Sequence, residues 1–224
     1  MNPPPTAIAE RVSHPPMEQR VIVRPVSWAT YERLLADLAN QSSTRLTYDR
    51  GTLEIMSPLP EHEEYNRTLA LLVEVLAEEL GIDIRNLGST TFRHENLARG
   101  FEPDSCFYIQ HEAQVSGKST IDLTIDPPPD LVIEVDITSG SLDKLPIYAQ
   151  VGVPEIWRCD GQRVRIYTLA VEGYVESDPS LALPLLAGTV LSDFLEQSKT
   201  LKRTTLLRAF RAWVRQQRRR GRRR

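Results

Sequence analysis

The stretch Pro127 to Gly161, PPPDLVIEVDITSGSLDKLPIYAQVGVPEIWRCDG, constrains the chain more than any other. It reads as strand, loop, helix, strand. Leu131 to Val135 is a short, largely β-branched apolar run set off by three prolines, which fits a buried strand. Glu134 interrupts that run, and a buried acid needs a partner charge, a hydrogen bond or a metal. Ten residues on, Lys144 opens a short helix with Asp143 as the expected N-cap. Pro146 then falls in the first turn, where its missing N–H costs little. Glu155 to Cys159 reads as the next strand. A carboxylate on a strand and a lysine on the following helix can converge on one point.

The rest of the chain supplies a setting for that point. Ser27 caps a helix whose stripe is Trp28, Tyr31, Leu34, Leu35 and Leu38. RLTYD and TLEIM alternate on either side of Arg50-Gly51, the pattern of a β-hairpin. A longer helix spans about Glu61 to Leu80, with Tyr65, Leu69, Leu72, Val73, Leu76 and Leu80 on one face and Gly81 as its stop. Strands are expected at IDIRNL, TTFRH and DSCFYIQ, then a long polar loop from Glu112 to Asp126. RVRIYTL and GYVES form a closing hairpin, and Val190 to about Gln217 makes one or two helices. The expected fold is α/β, a sheet of mixed strand directions flanked by helices.

The charge is unevenly placed. No acid follows Glu196, and eleven Lys and Arg lie from Lys202 to the end, including Arg218, Arg219, Arg220, Arg222, Arg223 and Arg224. The body before them is acidic. Such a tail suits a polyanion partner or docking onto the body itself. From Arg218 onward there is no apolar partner, so disorder is expected there without a ligand. No run approaches the roughly 18 apolar residues of a membrane span, and the N-terminus lacks the pattern of a signal peptide. Cys106 and Cys159 make no CxxC pair and no zinc spacing; they read as reduced core residues of a cytoplasmic protein.

FEPDSCFYI places Asp104 at the start of a strand. Two acids and a lysine from neighbouring elements can support metal-assisted phosphodiester hydrolysis, since carboxylates are hard oxygen ligands for Mg²⁺. Taken alone, Asp104 reads as a turn residue and Lys144 as a surface residue. Glu134 is the more informative, being an acid in an apolar run.

Together, GTLEIMSPLPEHEEYNRTLALLVEVL, EPDSCFY and PPDLVIEVDITSGSLDKLPIYAQVGVPEIW resemble the Uma-two family of restriction-type endonucleases, in the PD-(D/E)XK nuclease superfamily. The resemblance covers about Thr44 to Leu169, more weakly to Trp213. It implies a restriction-endonuclease-like core, here with an N-terminal helix and β-hairpin. It makes Asp104 the Asp of the "PD" element and Glu134 the acid of "(D/E)XK", both binding Mg²⁺ or Mn²⁺. The superfamily's lysine would stand at Asp136; in this family Lys144 matches the place to which it moves. Asp136 is then a third acid of the site or a partner for Lys144. His62 resembles the histidine of the family's "SP…H" stretch, against the plainer reading of a hydrogen-bonded helix histidine. Glu63 is the alternative acid from that helix, and Asp130 competes with Asp104. Tyr148, one turn past Lys144, reads as core packing.

The expectation is a flexible arm over residues 1–20, a nuclease domain over 21–200, and a basic helix and tail over 201–224. Its activity would be Mg²⁺-dependent endonucleolytic cleavage of DNA by a homodimer. The rival is a catalytically silent nucleic-acid-binding or interaction protein on the same fold.

Overall fold

The computed structural model describes residues 19–38, 44–137 and 142–221. β1 (Gln19–Val23) is followed by α1 (Trp28–Asp37), where Ser27 Oγ accepts the Thr30 N–H at 3.2 Å. β2 (Arg45–Asp49) and β3 (Thr52–Ser57) are the expected hairpin. Arg50 and Gly51 turn it with φ of 43° and 93°, the pair of positive values that a two-residue loop requires. α2 (Pro60–Leu80) ends where Gly81 adopts φ 69°. β4 (Arg85–Asn86), β5 (Phe92–His94), β6 (Arg99–Phe101) and β7 (Ser105–Tyr108) follow. Next come α3 (Glu112–Val115), β8 (Leu131–Val135), α4 (Leu145–Val151) and β9 (Glu155–Cys159). The chain closes with β10 (Val164–Ala170), β11 (Gly173–Ser177), α5 (Gly188–Ser198) and α6 (Arg203–Gly221).

The strands form two sheets, where one was expected. The first is ordered β1-β3-β2-β6-β5 and is antiparallel throughout; the second is ordered β11-β10-β9-β8-β7-β4. Within the second, β8 and β9 run parallel and the other pairs antiparallel, so this is the mixed sheet of the sequence reading. Side chains alternate across β8. Leu131, Ile133 and Val135 pack with Leu69, Val73 and Leu76 of α2 and with α5 and α6. Val132 faces Ile147 and Tyr148 of α4. Each fully buried aliphatic side chain contributes about 1.5–3 kcal/mol. Glu134 has the parity of Val132, so its carboxylate points at α4.

Four local details differ from the sequence reading. Gln19 begins a strand inside the stretch read as an arm; residues 1–18 lie outside those described. The polar loop after Glu112 contains the short helix α3. Lys144, not Asp143, is the N-cap residue of α4, while Asp143 Oδ1 accepts the Leu145 N–H at 3.1 Å. α6 continues through Arg218, Arg219 and Arg220 to Gly221, where disorder was expected; its arginines dock on α2, as set out below. Arg222, Arg223 and Arg224 lie outside the described residues.

Candidate active site

Glu134 is buried in mid-strand, and both of its oxygens are engaged. Lys144 Nζ donates to Oε2 at 2.7 Å, and the Tyr148 hydroxyl donates to Oε1. Lys144 and Tyr148 are four residues apart at the start of α4, the spacing that aligns two side chains on one side of a helix. Asp104 stands just ahead of β7. The register pairs Ser105 with Ile133, so one step further along Asp104 comes across from Glu134. Asp104 Oδ2 accepts the Val135 N–H at 2.8 Å and lies 3.2 Å from His62 Nε2, which α2 delivers. Asp104 Oδ1 accepts no hydrogen bond and faces Arg45 Nε at 3.5 Å.

The two acids are pushed in opposite directions. Burial raises Glu134, and the charges of Asp104 and Asp136 add to it; Lys144 opposes them, leaving the group at about 7. Burial also works to raise Asp104. There the His62 bond and charge, the Lys144 charge and the Val135 N–H prevail, and the carboxyl is held below its ordinary value. Burial works against the Lys144 charge, but Glu134 and Asp104 outweigh it and raise the ammonium above its usual range. One proton-accepting acid, one firmly ionised acid and one firm cation thus share a buried site.

Two openings flank it. Asp104, Ser105, Asn66 and Arg45 line a cleft of about 680 Å³ that also reaches Arg67 and Arg203. Glu134, Asp136, Lys144 and Arg158 border a hollow of only about 20 Å³. Among the described residues, no three His, Cys, Asp or Glu side chains gather into a metal cage.

The family model described as "Putative restriction endonuclease", Uma2, matches residues 28–202. The chain belongs to the Uma2 family. A crystal structure described as a "putative nuclease belonging to DUF820" from Anabaena variabilis matches 76% of this chain and 99% of its own, with a TM-score of 0.52. At 15% identity that likeness concerns the fold, which is restriction-endonuclease-like. No curated protein matches.

Of the positions that the Uma2 resemblance singled out, Asp104, Glu134, Lys144 and His62 come together. Asp136 Oδ2 accepts from Arg158 Nη2 at 2.9 Å, and Asp136 borders the same hollow as Glu134 and Lys144. Glu63 is taken by Arg45 at 2.9 Å and Arg67 at 3.5 Å. Asp130 braces a turn elsewhere, accepting the Ile109 and His111 N–H groups at 2.7 and 3.0 Å. Tyr148 is more than core packing, because its hydroxyl holds Glu134. Arg45 and Arg158 escaped the sequence reading. Nothing in RLTYD or EIWRC marks a partner that only the tertiary fold brings close.

The basic helix is partly spent on the protein itself. Arg211 pairs with Glu78 at 2.8 Å and Glu79 at 3.3 Å, Arg215 pairs with Glu79 at 2.7 Å, and Arg218 Nη1 donates to the Glu79 carbonyl at 2.5 Å. Arg219 and Arg220 are exposed. None of the described helices is long and apolar enough to cross a membrane.

Proposed function

We propose that this Uma2 chain is a divalent-metal-dependent endonuclease that hydrolyses DNA phosphodiester bonds. The observation that carries the reading is the buried set in which Lys144 holds Glu134 at 2.7 Å beside Asp104, whose Oδ1 accepts no hydrogen bond. The donor set suits Mg²⁺ or Mn²⁺: two hard carboxylates, one with a buried oxygen that accepts no hydrogen bond, the other made more basic chiefly by burial. Asp104 and Glu134 would hold the ion, which when bound polarises the phosphate and acidifies a water. Lys144 stays protonated and offers positive charge beside Glu134 Oε2, where charge develops during phosphoryl transfer. Tyr148 fixes Oε1 of Glu134, and His62 fixes Oδ2 of Asp104. Burial raises Glu134 above its ordinary value, so a proton would compete with the ion for that carboxylate.

DNA is the proposed partner, met through Arg218, Arg219, Arg220 and the arginines that follow, with the protein acting in the cytoplasm. A two-fold dimer would match a cut in both strands. The rival, a silent nucleic-acid-binding protein, draws on the full engagement of Glu134 by Lys144 and Tyr148. Incubation of supercoiled plasmid with protein and Mg²⁺ or Mn²⁺ separates the two. Nicking that chelation stops and Glu134→Gln abolishes is expected; an intact plasmid with retained DNA binding supports the rival.

A further inference from the structure

α4 carries both donors that hold Glu134, yet it has seven residues and its N-cap residue makes no side-chain cap bond. Asp143 Oδ1 takes the Leu145 N–H, and the other sheet holds both the approach to the helix and its first turn from outside. Glu54 of β3 accepts the Leu142 N–H at 2.7 Å. Arg99 of β6, 1% exposed, spans two elements: Nε donates to Asp49 Oδ1 at 2.8 Å and Nη1 to the Pro146 carbonyl at 3.1 Å. Phe101 meets the Tyr148 ring edge-on at 5.0 Å.

We propose that Arg99 is a positioning residue for the acidic site, a clamp that sets α4 so that Lys144 and Tyr148 both reach Glu134. Its consequence for cleavage rests on the nuclease reading; the clamp itself does not. A buried guanidinium is tolerated only if its charge and its donors are matched. Asp49 matches the charge, and the second donor is spent on a helix carbonyl. Pro146 lies two residues after Lys144 and two before Tyr148, so holding its carbonyl fixes both side chains at once. The planar fork makes the span rigid, which one ammonium cannot reproduce. The first sheet, which contributes no acid to the pair, would thereby govern the geometry of the second.

Arg99→Lys keeps the charge beside Asp49 and gives up the span to Pro146. Lys144, 9% exposed at its side chain, is shielded in the wild type. Reductive methylation of the whole chain, read at Lys144 by peptide mass spectrometry, should accelerate about tenfold in the variant, as for loss of one charge-assisted hydrogen bond. Amide exchange at Ile147 and Tyr148, whose N–H groups both donate to the Lys144 carbonyl, should accelerate with it. Under the nuclease reading kcat falls while KM holds. Asp49→Asn, which leaves Arg99 in place but removes its counter-charge, gives the same two readouts should Arg99→Lys not fold. Wild-type methylation and exchange rates in a folded variant would overturn the clamp. Both rates are measured without metal or DNA, so a wild-type protein that cuts nothing would sink the nuclease reading and leave the clamp to be judged by them.

Discussion

Lys144 and Glu134 show why a buried charge must be read with its partner. Lys144→Ala leaves Glu134 buried without its cation, a change that costs about 3–5 kcal/mol in comparable pairs. The expected outcome is a lower unfolding midpoint in urea, lost turnover, and metal affinity largely kept, because the lysine is not a ligand. Unchanged cleavage would return Lys144 to a purely structural role. Tyr148→Phe is milder: it removes the hydroxyl that donates to Glu134 Oε1, at about 1–3 kcal/mol for an acceptor left unmet. Denaturant titration of that variant, with a loss well under 1 kcal/mol, would show that solvent reaches Glu134. The acid was legible in the sequence because Leu131, Val132, Ile133 and Val135 surround it. Arg45 and Arg158 were not, because their roles come from pairing between residues distant in the chain.

At the scale of elements, local signals carried far where one turn decides the geometry. Arg50-Gly51 fixed a hairpin, Gly81 a helix end, and Ser27 a helix start. They failed for β1 and β6. β1 is an edge strand whose Val21, Ile22 and Val23 stay exposed, so it lacks the alternation of a half-buried strand. β6 is three residues long and contains Gly100. That glycine is required by packing: a Cβ there would sit 2.0 Å from the Tyr31 hydroxyl, and the Tyr31 ring is stacked on Tyr48 at 4.9 Å. Gly100→Ala should therefore destabilise by about 1–3 kcal/mol; a wild-type melting temperature would show that α1 can shift away. α6 makes the complementary point. Arg211, Arg215 and Arg218 dock on Glu78 and Glu79, one of the two uses foreseen for a basic tail. Deleting Arg218 to Arg224 should still flatten the salt dependence of DNA binding, whose log–log slope is about −0.9 per phosphate neutralised. Identical slopes for the full-length and truncated chains would leave the helix to its docking role alone.

Across the whole molecule, two sheets divide the work. The six-stranded sheet brings Asp104 and Glu134 side by side through the β7–β8 register, and the five-stranded sheet holds the helix that answers them. The two acids were readable, Glu134 from its place in the apolar run LVIEV and Asp104 through the family resemblance that EPDSCFY carries. The second half of the arrangement was not, because Asp49 and Glu54 look like ordinary hairpin charges, and Arg99 like a loop charge, until the sheets pack. The central claim is that Asp104 and Glu134 share one divalent ion. Calorimetric titration of Mg²⁺ into the wild type, Asp104→Asn and Glu134→Ala tests it directly. One site in the wild type, lost in both variants, is the predicted result; equal affinity in all three would contradict it.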